Sequence, residues 1–245
     1  MYPLHDRESH GYNQLILNGH QAFSSTGCFY LQNFLTEETR STILNEINFL
    51  LTNSPNTLFK QHIQHTENLY NTTSYKTDIA EPQSSTRTFI AFDQIPSDSL
   101  LRKLYLWDPL TSFVTDIIQS YPRLYRSCDE LGALYVNVYH QSNNLSWHSD
   151  HSHFFVNLLL QQPSVPDEGI FEYQTKDNKV ISRNDFQAGG LFVFDGRTYP
   201  HRVTEVRTSK LPRINAIFTY DPTPNHRLSD YITQKFIRST NQNNK

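Results

Sequence analysis

The stretch Gly189-Gly190-Leu191-Phe192-Val193-Phe194-Asp195-Gly196 decides the fold, because it is a short apolar run bounded by glycines and a turn residue. Residues 201–206 alternate between apolar and polar side chains, and residues 211–220 form another mainly apolar run. The polar residues 207–210 between them predict a turn. Strand patterns of this kind dominate from residue 131 onward and follow helical patterns. The order indicates an α+β, mainly β fold in which helices pack on one face of a sheet.

Helical support is predicted within residues 25–128. Thr36 is a candidate N-cap, and the two glutamates that follow it favour the first turn of a helix. Apolar side chains then recur at helical spacing until the polar residues 53–56: Ile43, Leu44, Ile47, Leu50 and Leu51. A second helical pattern begins near residue 98 and contains a break near Pro109.

Three segments have little periodicity. Residues 1–24 are polar, and we expect them to form an arm that lies on the domain. Residues 56–87 are rich in Thr, Asn, Gln and Ser, which predicts a long loop that could close as a lid. Residues 222–245 predict a tail with a short helix at 231–237. The core, with the chemistry described below, is expected in residues 129–221.

Length and composition narrow the class of protein. The 245 residues are compatible with a single domain over 1–245. The formal net charge of −3 gives no support for nucleic-acid binding, and no run approaches the ~18 apolar residues of a membrane span. The N-terminus lacks a secretory leader pattern, and Cys28 and Cys128 do not make a disulfide framework. We therefore expect a cytoplasmic protein with no nucleic-acid or membrane partner; the oligomeric state stays open.

A metal site is predicted at His148-Ser149-Asp150 together with His201. Residues two apart on a strand point to the same side, so His148 and Asp150 can hold one ion from one direction. His201, on a later strand, is the best third ligand. Two imidazoles and one carboxylate suit Fe(II) with open positions, and they also serve catalytic zinc. His151 and His153 are nearby, but we predict that neither is a ligand.

A buried arginine is the second predicted feature. Arg213 precedes a strongly apolar strand, where an unpaired charge is costly unless a carboxylate or a salt bridge neutralises it. A guanidinium binds a carboxylate bidentately, so Arg213 suits an acidic co-substrate and favours Fe(II) over a zinc hydrolase. Arg207 is its rival, but its polar turn predicts a solvated side chain.

These residues resemble the signature of the Fe(II)/2-oxoglutarate-dependent dioxygenases, which is His-x-Asp, a distal His and a later Arg. The resemblance extends over about residues 130–221, including the strand-like segments 137–139, 155–160 and 169–173. It implies a double-stranded β-helix, also called a jelly roll or cupin-like fold. It also implies Fe(II) as the cofactor, 2-oxoglutarate and O₂ as co-substrates, ascorbate as a reductant in vitro, and 2-oxoglutarate bound by Arg213.

Within that superfamily, residues 147–221 most resemble small bacterial enzymes that hydroxylate free amino acids, such as lysine, and their radical-halogenase relatives. The halogenases replace the carboxylate ligand with a small residue. Asp150 is retained here, which implies hydroxylation of an amino acid or a similar small polar metabolite. Two alternatives stay open: oxidative demethylation of alkylated nucleobases, and a jelly-roll binding protein without turnover.

Other residues have weaker predicted roles. Asn137 and Tyr139, two apart on one strand face, are candidate hydrogen-bond donors to 2-oxoglutarate, although an ordinary structural role is equally open. Candidates for contacting the substrate lie beside the ligands or on predicted inner strands: His151, Glu172, Asn215 and Thr219. Glu172 could meet a substrate ammonium or face solvent. Trp147 is expected to be a core residue.

Overall fold

The computed structural model describes residues 2–55, 57–65 and 83–230. Its helices there are α1 (His10–Thr26), α2 (Glu37–Asn53), α3 (Leu100–Leu106) and α4 (Asp108–Ile118), with a 3₁₀ turn at Phe92–Gln94. The strands are β1 (Cys28–Leu31), β2 (Phe59–His65), β3 (Gln83–Ile90), β4 (Tyr125–Arg126), β5 (Leu134–Tyr139), β6 (Asn143–His148), β7 (Phe154–Gln161), β8 (Phe171–Gln174), β9 (Val180–Ser182), β10 (Leu191–Phe194), β11 (His201–Val206) and β12 (Arg213–Asp221).

The described strands pair antiparallel in the order β1-β10-β7-β12-β5-β3-β6-β11-β8-β9, with β2 on the side of β3 and β4 on the end of β12. The single pairing of Thr86 with Asn144 joins β3 to β6, where the larger sheet passes into the smaller one. The sheet therefore curls into a half-barrel whose inner face encloses a cavity. The predicted mainly β, jelly-roll fold is confirmed.

The strand β12 shows how the layers are built, because its alternate side chains enter two different environments. One set packs with the four helices in the main core: Ile214, Ala216, Phe218 and Tyr220. The other set points between the sheets: Arg213, Asn215, Ile217 and Thr219. All nine residues of β12 are buried, so the strand forms the centre of the fold.

Most of residues 1–24, which we expected to form an arm that lies on the domain, is helix α1. The Ser9 side chain accepts a hydrogen bond from the Tyr12 backbone N–H and caps the helix. Tyr12 and Phe23 are buried on its inner face. Gly27 ends the helix at a φ of 72°, a conformation that favours glycine. The polar composition of the outer face obscured the sparse apolar positions that hold this helix on the core.

The long loop expected at residues 56–87 is corrected in part. Residues 59–65 and 83–90 form the paired strands β2 and β3, and the middle of the segment lies outside the described residues. The predicted helices are confirmed: Thr36 caps α2, and the break near Pro109 separates α3 from α4. The helix expected at 231–237 also lies outside the described residues. No helix in the described ranges has the length and apolarity needed to cross a membrane.

Candidate functional site

Three potential metal ligands meet at one end of the half-barrel. His148 ends β6 and His201 begins β11, and the two are direct cross-strand partners. Asp150 follows β6 after one intervening residue. Its carboxylate oxygens lie 3.5 Å from His148 Nε2 and 3.7 Å from His201 Nε2. One ligand atom from each residue falls within 4.8 Å of the others, so the cluster can hold a single metal ion.

Backbone carbonyls orient both imidazole rings. His148 Nδ1 lies 2.8 Å from the Ser146 carbonyl oxygen, and His201 Nδ1 lies 3.0 Å from the Tyr199 carbonyl oxygen. In this arrangement each Nδ1–H donates to the backbone and each Nε2 lone pair faces Asp150. Fixing the second ring nitrogen in this way is the usual support for a histidine that binds a metal.

A glycine makes room for the Asp150 carboxylate. The Asp150 backbone N–H donates to the Gly196 carbonyl oxygen at 2.8 Å. A Cβ atom at position 196 would stand 2.6 Å from Asp150 Oδ2 and 2.8 Å from the Phe155 ring, which real contacts do not tolerate. Gly196 is a positioning residue that sequence reasoning missed. Its place two residues after the apolar run 191–194 indicated only a turn.

The charge states suit metal binding. Burial favours the neutral form of the Asp150 carboxyl, but the nearby histidines and Arg87 outweigh it and hold the pKa of Asp150 below its usual value. Burial, assisted by the neighbouring His148, lowers the pKa of His201 to about 4. Near neutral pH the site therefore presents a carboxylate and a neutral imidazole, which are the forms that bind metal ions.

Arg213 is a buried cation without an acidic partner in the described part of the chain. Its side chain is among the largest that are fully buried, with 2% of the residue exposed. Nη1 donates to Asn215 Oδ1, and the guanidinium carbon lies 5.6 Å from the centre of the Tyr139 ring. Burial lowers the pKa of Arg213 to about 10. Such a charge needs an anion to offset its desolvation.

Unpaired polar atoms surround this arginine. The Tyr139 hydroxyl and Asn137 Oδ1 are buried and have no hydrogen-bond partner among the described residues. Asn215 Nδ2 donates to Asn157 Oδ1 at 3.0 Å. Because buried polar atoms are normally paired, the open ones indicate a place for a polar ligand. Asn157 was missed by sequence reasoning, and the signal was an amide in the middle of the apolar strand β7.

A cavity of about 140 Å³ connects these features. That volume holds on the order of ten water-sized groups, the scale of a small organic molecule. The wall includes the three potential ligands and most of the other predicted residues: Asn137, Tyr139, His151, Asn215 and Thr219. Arg213 lies directly behind this wall, against Asn215 and Tyr139. The structure therefore brings the predicted metal ligands, the predicted clamp and the candidate co-substrate residues into one place.

Glu172 does not reach the cavity, which corrects its candidate role with substrate. On β8, Phe171 and Tyr173 are buried inward and Glu172 points to the other side. Its carboxylate accepts hydrogen bonds from Arg202 Nε at 2.7 Å and from Ser182 Oγ at 2.6 Å. The Arg202 guanidinium also stacks on Trp147, which is half-buried on this outer face.

Four other side chains that we considered also lie outside the ligand cluster. His153 Nδ1 contacts Asp221 Oδ2 at 2.7 Å and is not part of the cluster. The Arg207 side chain is 63% exposed. The turn that carries it is held by Glu168, a buried carboxylate that accepts hydrogen bonds from the backbone of residues 207–209. Cys28 is buried and Cys128 exposed, and both are free thiols.

Comparison with solved structures identifies proteins of the same fold. The non-haem α-ketoglutarate-dependent epimerase SnoN of nogalamycin biosynthesis superposes with a TM-score of 0.60 at 13% identity, over 85% of this chain and 83% of that one. An oxidoreductase of the 2OG-Fe(II) oxygenase family from Burkholderia pseudomallei gives 0.57 at 14% identity, over 85% and 91%. A prolyl-4-hydroxylase from Pseudomonas putida gives 0.57 at 13%, over 84% and 99%.

No protein-family model matches the sequence, and no curated protein matches it significantly. The likeness is therefore one of architecture, at identities that carry the fold and not the substrate. The chain has the double-stranded β-helix fold of Fe(II)/2-oxoglutarate oxygenases and carries a possible His-Asp-His metal cluster in its cavity.

Proposed function

We propose that the protein is an Fe(II)- and 2-oxoglutarate-dependent oxygenase that hydroxylates a free amino acid or a similar small polar metabolite. The observation that carries this proposal is the buried Arg213 cation, which has no acidic partner among the described residues and contacts Asn215 and Tyr139, two residues that line the same cavity as the His148, Asp150 and His201 cluster. A zinc hydrolase or a simple metal-binding protein gives no reason to bury that charge. An acidic co-substrate that also binds the metal does.

Each part of the site has a role in this proposal. His148, Asp150 and His201 would hold the iron from one side and leave positions for other ligands. Arg213 would bind the distal carboxylate of 2-oxoglutarate, and the Tyr139 hydroxyl, which has no partner among the described residues, would donate to one of its oxygens. The side-chain NH2 of Asn137 would donate to another oxygen of the co-substrate. When bound, iron and 2-oxoglutarate supply the oxidising power for C–H hydroxylation with release of succinate and carbon dioxide. O₂ completes the set of reactants.

The chain's own side chains orient the substrate and exclude water. His151, Asn215 and Thr219 border the cavity and are candidate contacts for the substrate. Aromatic side chains of the inner core, including Phe155 and Phe171, surround the His201 ring with ring centres 5.4 and 5.6 Å away. This aromatic wall would limit access of bulk water to a bound metal ion. Asp150 as a carboxylate ligand favours hydroxylation over halogenation.

The proposal is tested by incubating the protein with Fe(II), ascorbate, O₂, 2-oxoglutarate and a panel of amino acids. We expect succinate together with a product heavier by one oxygen. Asp150→Ala removes a ligand and should reduce both to background, while Asp177→Ala, at an exposed turn, should leave both unchanged. Succinate absent across the panel, or full activity of Asp150→Ala, would overturn the proposal.

A further inference from the structure

A second arginine faces the cavity from the opposite flank. Arg87 lies on β3, two residues before Phe89, and both side chains border the cavity. Arg87 Nε donates to Gln61 Oε1 at 2.7 Å, and the guanidinium carbon lies 5.4 Å from the centre of the Phe89 ring. The hydrogen bond and the ring fix the guanidinium plane. Both terminal nitrogens stay available, since no described residue accepts from them.

The register separates Arg87 from Arg213. β5 lies between β3 and β12, and its Asn137 pairs with Phe89 on one side and with Asn215 on the other. Arg87 and Arg213 each precede those partners by two residues, so they lie on strands whose axes are roughly 10 Å apart. The two cations therefore lie on different strands, on either side of the strand β5 that carries Tyr139.

Within the described part of the cavity wall, the charge of Arg87 acts on one carboxylate, that of Asp150, whose pKa it helps to lower without forming an ion pair. Within the described part of the chain, Arg87 forms no ion pair, and Asp150 is the one carboxylate on the cavity wall. Asp150 is committed to the metal cluster. A cation in this position, with its terminal donors open, suits an incoming carboxylate.

The other residues that line the cavity indicate the chemical character of the rest of that ligand. Apart from Ser149 and Ser152, next to the ligands in the chain, the lining beyond the polar residues already assigned is mainly apolar and partly aromatic, and includes Phe89, Tyr135, Leu145, Phe155, Phe171 and Ile217. No described acidic residue besides Asp150 is present to receive a second, cationic group of a substrate. The wall therefore favours an apolar or aromatic body and disfavours a basic side chain.

We propose that Arg87 binds the carboxylate of the substrate, and that the substrate is a small carboxylic acid with an apolar or aromatic body. N-acylated amino acids with apolar side chains belong to this class, because they carry no ammonium group, whereas lysine-like substrates do not. The proposal rests on the proposed function, because it assigns Arg213 to the co-substrate and Arg87 to the substrate. It narrows the substrate class from small polar metabolites in general to molecules with one carboxylate and an apolar or aromatic body.

The test measures binding without turnover, so that its outcome is independent of catalysis. The protein is loaded under nitrogen with Mn(II) and with saturating 2-oxoglutarate, so that the co-substrate occupies Arg213. Calorimetric titration then compares acids with their amides: hexanoate, benzoate, 3-phenylpropanoate and N-acetyl-leucine, each beside the neutral amide. 3-Phenylpropylamine tests a cationic probe with the same body. The proteins are the natural chain, Arg87→Met, and the control Arg7→Met, whose arginine is exposed and pairs with Asp116.

We expect at least one acid to bind the natural chain at least about tenfold more tightly than its amide, as a hydrogen-bonded ion pair requires. Arg87→Met should lose that preference, keep its affinity for 2-oxoglutarate and retain affinity for the amide, whereas Arg7→Met should behave as the natural chain. The proposal fails if no acid is preferred over its amide, if the preference survives in Arg87→Met, if the amine binds best, or if Arg87→Met loses 2-oxoglutarate instead. Succinate formation is not part of this measurement, so failure of the proposed activity is detected separately.

Discussion

The two faces of β12 differ in the chemistry of their buried side chains. On the face that meets the helices, Ile214, Ala216 and Phe218 are fully buried hydrocarbon. On the face that meets the cavity, Arg213 and Asn215 occupy equally buried positions with a charge and an amide. Burial of hydrocarbon stabilises the fold, while burial of a charge without an anion costs free energy. The comparison indicates that one face was built for stability and the other for a ligand.

The largest effect is expected on the helix-covered face. Phe218→Ala removes a ring that is fully buried and lies 5.5 Å, centre to centre, from the Tyr105 ring. Deleting a buried phenylalanine side chain costs about 3–5 kcal/mol, which denaturant unfolding measures as a lower midpoint. The matched control is Phe49→Ala on α2, where 65% of the residue is exposed and little change is expected. If Phe218→Ala lowered the free energy of unfolding by less than about 1 kcal/mol, the helix-covered face of β12 would not be the main source of stability.

An effect of the opposite kind is expected on the cavity face. Arg213→Met removes a buried charge that lacks an acidic partner in the described residues, so the free energy of unfolding without ligand should stay equal or rise. The KM for 2-oxoglutarate should rise about 100-fold, equivalent to about 2.7 kcal/mol of lost binding, within the range of a bidentate ion pair. Kinetics with varied 2-oxoglutarate and thermal unfolding with and without it measure the two quantities.

The control for this change is Arg207→Met, because Arg207 is the nearest alternative clamp in the sequence and its side chain is 63% exposed. Its KM for 2-oxoglutarate should match that of the natural chain. If Arg207→Met raised the KM and Arg213→Met did not, the carboxylate would bind at the turn. If Arg213→Met unfolded the protein without ligand, the arginine would be a structural residue and the contrast between the faces of β12 would be wrong.

The sequence predicted the parts of the site that depend on local spacing. His148 and Asp150 are two residues apart, so the period-two alternation of a strand identified them as a candidate ligand pair. Arg213 opens an apolar strand, so the cost of burying a charge identified it as a candidate anion site. Gly196 and Arg87 could not be identified in this way, because their roles arise from contacts between distant segments: a missing Cβ beside Asp150, and a strand that faces the cavity. Helix α1 was missed because its few buried residues are spread among many polar ones.

The smallest effect on stability and on KM is expected from Glu172→Gln. This variant tests whether the outer side of β8 contributes to the cavity. Strand alternation alone would have placed Glu172 opposite its aromatic neighbours, and the structure shows it paired with Arg202 on the outer side. The Arg202 side chain is 40% exposed, and a pair of this kind contributes about 0–1 kcal/mol. We expect the unfolding midpoint to fall slightly and the KM values for 2-oxoglutarate and for substrate to stay unchanged. A raised substrate KM without a change in stability would show that this outer side communicates with the cavity, since Arg202 and Trp147 directly adjoin the two histidines along the chain. The outward-facing side chains of β8 would then belong to the ligand-binding part of the protein and not only to its stabilising surface.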